Sequence, residues 1–145
     1  MMPLKGGAKM IGVLITTHGN VGQELIRAAE LIKGNLKKLA FISIDQSKSV
    51  EELQKEINTA IRKLDQGQGV LILTDLFGGT PSNISLSFLK PGKVEVITGV
   101  NLPMLLKLRD INEDIGLVEF AKYIQDYGKK NISLASEILN KKITE

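Results

Sequence analysis

The chain has no cysteine in its 145 residues. That removes disulfides, thiolate catalysis and cysteine-based metal sites together. It has one histidine, and one imidazole without a thiolate cannot supply three ordinary zinc ligands. No apolar run approaches the roughly 20 residues that span a bilayer. The start, Met1 to Met10, carries Lys5 and Lys9 but no apolar stretch of the kind a secretory signal needs. Residues 1–9 are read as a disordered leader or an expression remnant, and 10–145 as a single domain. Without a signal or a disulfide, the compartment indicated is the cytoplasm. Aromatic residues make up 4%, and the net charge of +3 comes from dispersed basic residues, so a nucleic-acid surface is weakly supported.

Several signatures are missing as well. There is no G-x-x-x-x-G-K-[ST] phosphate loop. Gly67-x-Gly69 follows a helical segment instead of a strand and lacks a third glycine, so it is not a dinucleotide fingerprint. No serine stands in a G-x-S-x-G elbow. A Ser-His-Asp hydrolase stays open on these grounds, but nothing nominates its nucleophile.

What is present is a globular composition, 43% hydrophobic and 24% charged, at a length that allows one sizeable core. Four short apolar runs alternate with segments of helical period. The spacing predicts strands over Met10–Thr16, Leu39–Asp45, Val70–Thr74 and Val94–Thr98. The first predicted helix has Asn20 as its cap, Gln23 at the reciprocating position and Gly34 at its end. Its apolar face is Leu25, Ile26, Ala29, Leu31 and Ile32. Ser49-Val50-Glu51-Glu52 has the form of a capping box for the second, with Leu53, Ile57, Ala60, Ile61 and Leu64 facing inward. Thr80 is placed to cap the third, with Pro81 at its first position. A short apolar helix is expected around Leu102–Leu108, and another over Gly116–Tyr127 with Leu117, Phe120, Ala121 and Ile124 as its face. Asn131–Leu139 fits either an edge strand or more helix.

Alternating strands and helices with unbroken apolar strands imply a doubly wound α/β fold, a mainly parallel sheet with helices on both faces. In the order 2-1-3-4, the first and third strands are neighbours, and ligands gather beyond their carboxyl ends. His18 follows the first strand and Asp75 the third, so that order brings them face to face. A carboxylate fixes the tautomer and orientation of an imidazole and leaves the other nitrogen as a defined nucleophile. The helix starts beside them offer backbone N–H groups, and Gly19, Gly78 and Gly79 allow close approach. A phosphohistidine that is made and passed on uses all of these parts. If its donor is also a phosphohistidine, no nucleotide, metal or other cofactor is needed.

Three blocks carry a resemblance: Thr17-His18-Gly19, then Thr74 to Pro81 (T-D-L-F-G-G-T-P), then Gly99 to Leu105 (G-V-N-L-P-M-L). In order and spacing they resemble the enzyme IIA domain of the mannose family of the bacterial phosphoenolpyruvate-dependent sugar phosphotransferase system. The resemblance covers about Met10 to Leu108. It implies that His18 accepts a phosphoryl group on Nε2 from the phosphocarrier HPr and passes it to a IIB protein. It also implies that Asp75 orients His18 and that Thr80, where the family often has serine, hydrogen-bonds the phosphoryl group. The backbone of Gly19, Asn20, Gly78 and Gly79 would hold that group. The membrane subunits IIC and IID would be served only indirectly. Family members are homodimers that exchange a late strand, which here would be Asn131–Leu139.

Each feature also has a plainer reading. A lone histidine at a strand end is usually structural, and Asp75 alone would be read as a turn cap. Gly78 to Pro81 serves equally as a tight turn and helix start. The Leu102–Leu108 stripe is read as core or dimer contact, and Lys33, Lys37, Lys38, Lys129 and Lys130 as solvated. Two other functions stay in play: the phosphohistidine subunit serving dihydroxyacetone kinase, and a regulatory module whose phosphorylation state other proteins read.

Overall fold

A computed structural model describes residues 9–110 and 115–144, the last three of these as backbone. The leader reading of residues 1–9 falls outside the described residues, apart from the exposed Lys9.

Strand β1 (Gly12–His18), β2 (Leu39–Ile44), β3 (Val70–Thr74) and β4 (Val94–Thr98) form one sheet. Its order is β2-β1-β3-β4, and every pairing is parallel. The doubly wound fold and the order 2-1-3-4 are therefore as the alternation of elements implied. Central β3 shows why: Val70, Leu71, Ile72 and Leu73 are fully buried, as a strand covered on both faces requires. β1 starts and ends two residues later than its expected span, so His18 is the last residue of the strand and not part of the turn.

The helices are α1 (Val21–Lys33), α2 (Val50–Leu64), α3 (Thr80–Leu86), α4 (Leu102–Lys107), α5 (Leu117–Lys130) and α6 (Ala135–Thr144), with a 3₁₀ turn over Leu108–Asp110. Two apolar layers flank the sheet. One joins Val13, Ile15, Leu71 and Leu73 to α1, α4 and α5. The other joins Leu14, Ile72 and Val70 to α2 and α3. Side chains alternate along β1 and β3, so successive residues feed opposite layers.

Local signals explain several ends. The Ser49 hydroxyl accepts the Glu52 N–H at 3.1 Å and the Glu52 carboxylate accepts the Ser49 N–H at 2.8 Å, which is the expected capping box. Gly34 ends α1 at φ +83. Leu117, Phe120, Ala121 and Ile124 are buried on α5 as their spacing predicted.

Four expectations need correction. Asn20 occupies the α1 cap position without a side-chain cap bond; its Oδ1 accepts the Ser43 hydroxyl instead. The Gly22 N–H is taken by Thr17 Oγ1 at 2.8 Å, so a strand residue satisfies that helix start. Leu31 and Ile32 are not core: Leu31 is 88% exposed, because two residues on from the buried Ala29 it lies about 200° round the helix, away from the packed face. At α3 the cap is Gly79, and Thr80 is already the first helical residue.

The fourth concerns the late strand. Residues 135–144 are helical, and the sheet has four strands among the described residues. Ala135, Glu137, Leu139 and Lys141 are good helix formers, and Ile138-Leu139 adjoin where strand alternation would separate them. Of the two readings of Asn131–Leu139, helix holds from Ala135 onward.

Candidate functional site

The site lies at the carboxyl edge of the sheet, where β1 and β3 run side by side with Thr16 opposite Thr74. His18, the last residue of β1, and Asp75, the residue after β3, then sit at the crevice. His18 Nδ1 lies 3.0 Å from Asp75 Oδ2, across 57 residues of sequence. The same oxygen accepts the His18 backbone N–H at 3.1 Å. One carboxylate oxygen therefore fixes both the main chain and the ring of the histidine.

A carboxylate only accepts, so Nδ1 carries the proton that faces Asp75, and in the neutral ring the lone pair is on Nε2. The His18 side chain is 50% exposed and that of Asp75 17%. The ring as a whole is thus half exposed while its carboxylate partner is sheltered. Asp75 Oδ1 is buried and has no hydrogen-bond partner among the described residues.

The opposite edge of the ring meets the loop before α3. A Cβ built on Gly79 would lie 2.7 Å from His18 Cε1 and 3.0 Å from Nε2. Only glycine lets the backbone come so near. Gly19 and Gly78 both have positive φ, +51 and +99.

The remaining expected residues are placed as follows. The Gly19 N–H donates to Ile44 O at 2.9 Å, and the Gly78 N–H to Ser82 Oγ at 3.0 Å. Those two amides are already committed. The N–H groups of Asn20 and Gly79 donate to no acceptor among the described residues. Thr80 is exposed beside Gly79, and its hydroxyl has no partner among the described residues.

Sequence reasoning missed the hydroxyl support beneath the site. Thr16, Thr17, Thr74, Ser82 and Ser85 are all fully buried. Thr16 Oγ1 and Ser85 Oγ are 2.8 Å apart. The available signal was a run of small hydroxyl residues inside otherwise apolar strands and on the α3 face turned to the sheet. The rim is apolar: Leu76 and Phe77 are exposed on the loop between Asp75 and Gly78, Phe77 to 71%.

Comparison with known proteins adds the family. Residues 12–125 match the EIIA-man family model, described as "PTS system fructose IIA component". The "PTS system fructose-specific EIIA component" of Bacillus subtilis is 29% identical over 133 residues, covering 91% of each chain. The "PTS system mannose-specific EIIAB component" of Escherichia coli K12 is 33% identical over 105 residues, which are 72% of this chain and 32% of that longer one. A Streptococcus pneumoniae IIA protein associated with the fucose utilization operon superposes with a TM-score of 0.78 at 26% identity, covering 91% of this chain and 98% of that one. The chain belongs to the mannose-family IIA components of the phosphoenolpyruvate-dependent sugar phosphotransferase system, a phosphotransferase family.

Proposed function

We propose that the chain is a phosphohistidine carrier: His18 Nε2 takes a phosphoryl group from phospho-HPr and hands it to a IIB protein. The observation that carries this reading is the 3.0 Å contact of His18 Nδ1 with Asp75, which in the neutral ring puts the proton on Nδ1 and the lone pair on Nε2, on a side chain that is half exposed. The Nε2 lone pair attacks phosphorus as the phosphorus–nitrogen bond to the donor imidazole breaks, and the bond electrons return to the donor nitrogen. The second transfer repeats this displacement with the IIB nucleophile attacking and His18 leaving. Since the transition state is loose, the protein's task is positioning and stabilising charge on the phosphoryl oxygens.

Support for the remaining roles is graded by what is free. The Asn20 and Gly79 N–H groups and the Thr80 hydroxyl have no competing acceptor or donor among the described residues, and we assign the phosphoryl oxygens to them. Gly19 and Gly78 shape the backbone, their own amides being engaged. The exposed Leu76 and Phe77 give a protein partner an apolar footing next to the histidine.

Both partners are cytoplasmic phosphocarrier proteins in this scheme, so the chain works there, with IIC and IID reached only through IIB. We also assign it a homodimeric state. Support comes from α6 and the segment before it, where Ile132, Leu134, Ile138 and Leu139 are exposed. The regulatory reading and service to dihydroxyacetone kinase rest on no observation that distinguishes them, and sugar transport is the function adopted.

The experiment is direct. Incubation with labelled phosphoenolpyruvate, enzyme I and HPr gives an acid-labile, base-stable label on the wild type and none on His18→Ala. A label that persists in the variant moves the acceptor to another residue.

A further inference from the structure

The side of α3 turned to the sheet carries two fully buried serines, Ser82 and Ser85, three residues apart on one helical face. Ser85 ties the helix to Thr16 at 2.8 Å. Thr16 stands two places before His18, on the same face of β1. Ser82 reaches the other way. Its Oγ accepts the Gly78 N–H at 3.0 Å, closing a turn in which Gly78 has φ +99.

That turn sets Gly79 against the imidazole. The Cε1 and Nε2 atoms lie 2.7 and 3.0 Å from where a Gly79 Cβ would be. His18 is thus held on two edges, Nδ1 by Asp75 and the Cε1–Nε2 edge by the Gly79 backbone. The two constraints differ in kind. One hydrogen bond to Nδ1 sets the tautomer but leaves the ring free to tilt about that bond; a backbone wall on the far edge stops the tilt. Transfer between two imidazoles needs an aligned nitrogen lone pair, and a misplacement of about 1 Å can cost roughly a hundredfold in rate.

We propose that Ser82 is a positioning residue for transfer at His18: by fixing the Gly78 turn it holds Gly79 against the ring and sets the direction of the Nε2 lone pair. The role rests on the reading of His18 as phosphoryl acceptor. It goes beyond that reading by assigning the orientation of the ring to a hydroxyl that never touches the ring.

The test uses the full chain. In the unphosphorylated wild type, proton NMR should give a nuclear Overhauser contact between His18 Hε1 and Gly79 Hα. Ser82→Ala should keep the far-ultraviolet circular dichroism and lose that contact. Its rate of transfer from phospho-HPr should fall about tenfold while KM for phospho-HPr stays within about twofold, because the lost bond orients and does not bind. Should Ser82→Ala fail to fold, Gly78→Ala decides. That position is exposed with nothing within 4 Å of a built Cβ, so the substitution strains the same turn without disturbing the core, and the same two losses are expected.

A variant that melts earlier but keeps both the ring contact and the transfer rate overturns the proposal and leaves Ser82 structural. A wild type that takes no label on His18 sinks the acceptor reading instead. The ring contact, measured without phosphate, then still decides whether Ser82 positions the imidazole.

Discussion

At the scale of single residues, the site is a division of labour around one ring. Asp75 Oδ2 holds the ring and the backbone of His18 at 3.0 and 3.1 Å, so Asp75→Asn removes more than a charge. An amide there can offer nitrogen or oxygen to Nδ1, and the tautomer is no longer dictated. We expect the far-ultraviolet spectrum to be kept and phosphoryl transfer to slow by roughly ten- to a hundredfold, the range seen when a group orienting a histidine is lost. An unchanged rate in a rapid-quench measurement would make Asp75 purely structural.

Thr80→Ala should slow transfer by about tenfold, since in the proposed site it removes one hydrogen bond to a charged phosphoryl oxygen. Thr80→Ser should restore the rate. The pairing of His18 with Asp75 was legible in the sequence because strand order alone brings two strand ends together. The hydroxyls beneath them were not. Thr17, Ser82 and Ser85 act through bonds whose partners, Gly22, Gly78 and Thr16, are fixed only once the helices have docked.

At the scale of elements, periodicity and capping chemistry carried most of the information. β3, β4 and the α2 capping box stand where the pattern put them. The box has a pH signature. Hydrogen bonds from Ser49 hold the Glu52 carboxyl below its ordinary value of 4.5. A group whose folded value is depressed contributes stability above its unfolded value, and that contribution is lost as pH falls through the folded value. Wild-type α2 should therefore lose amide-exchange protection as pH drops below the ordinary glutamate range. In Glu52→Gln the protection should vary less with pH over that range.

Leu71 makes a second test at this scale. It is fully buried in the central strand, so Leu71→Ala should cost about 2–5 kcal/mol in denaturant unfolding. What the pattern could not supply was the reach of a packed face. Ile32, three residues on from the buried Ala29, continues the apolar stripe of α1 yet is 60% exposed, and nothing in the spacing marks where the contact stops. The helix over 135–144 was ambiguous for a related reason: its short apolar signal fits two periods, and helix propensity decided between them.

At the scale of the whole molecule, α6 supplies no member of the two apolar layers among the described residues. The proposed homodimer would use the helix's exposed Ile138 and Leu139. Sedimentation equilibrium should give a dimer for the wild type, and Ile138→Asp with Leu139→Asp should shift it to monomer. A wild type that sediments as a monomer rejects the homodimer.

The 57-residue gap between the paired side chains also bears on how the molecule comes into being. A chain that has formed only β1, α1 and β2 owns the histidine but not its carboxylate. The crevice exists only after β3 has slotted in on the far side of β1. Parallel pairings of this kind close long loops and are slow to form. Recovery of the acceptor capacity proposed for His18, after dilution from denaturant, should accordingly lag behind the return of helical signal and so report the docking of β3.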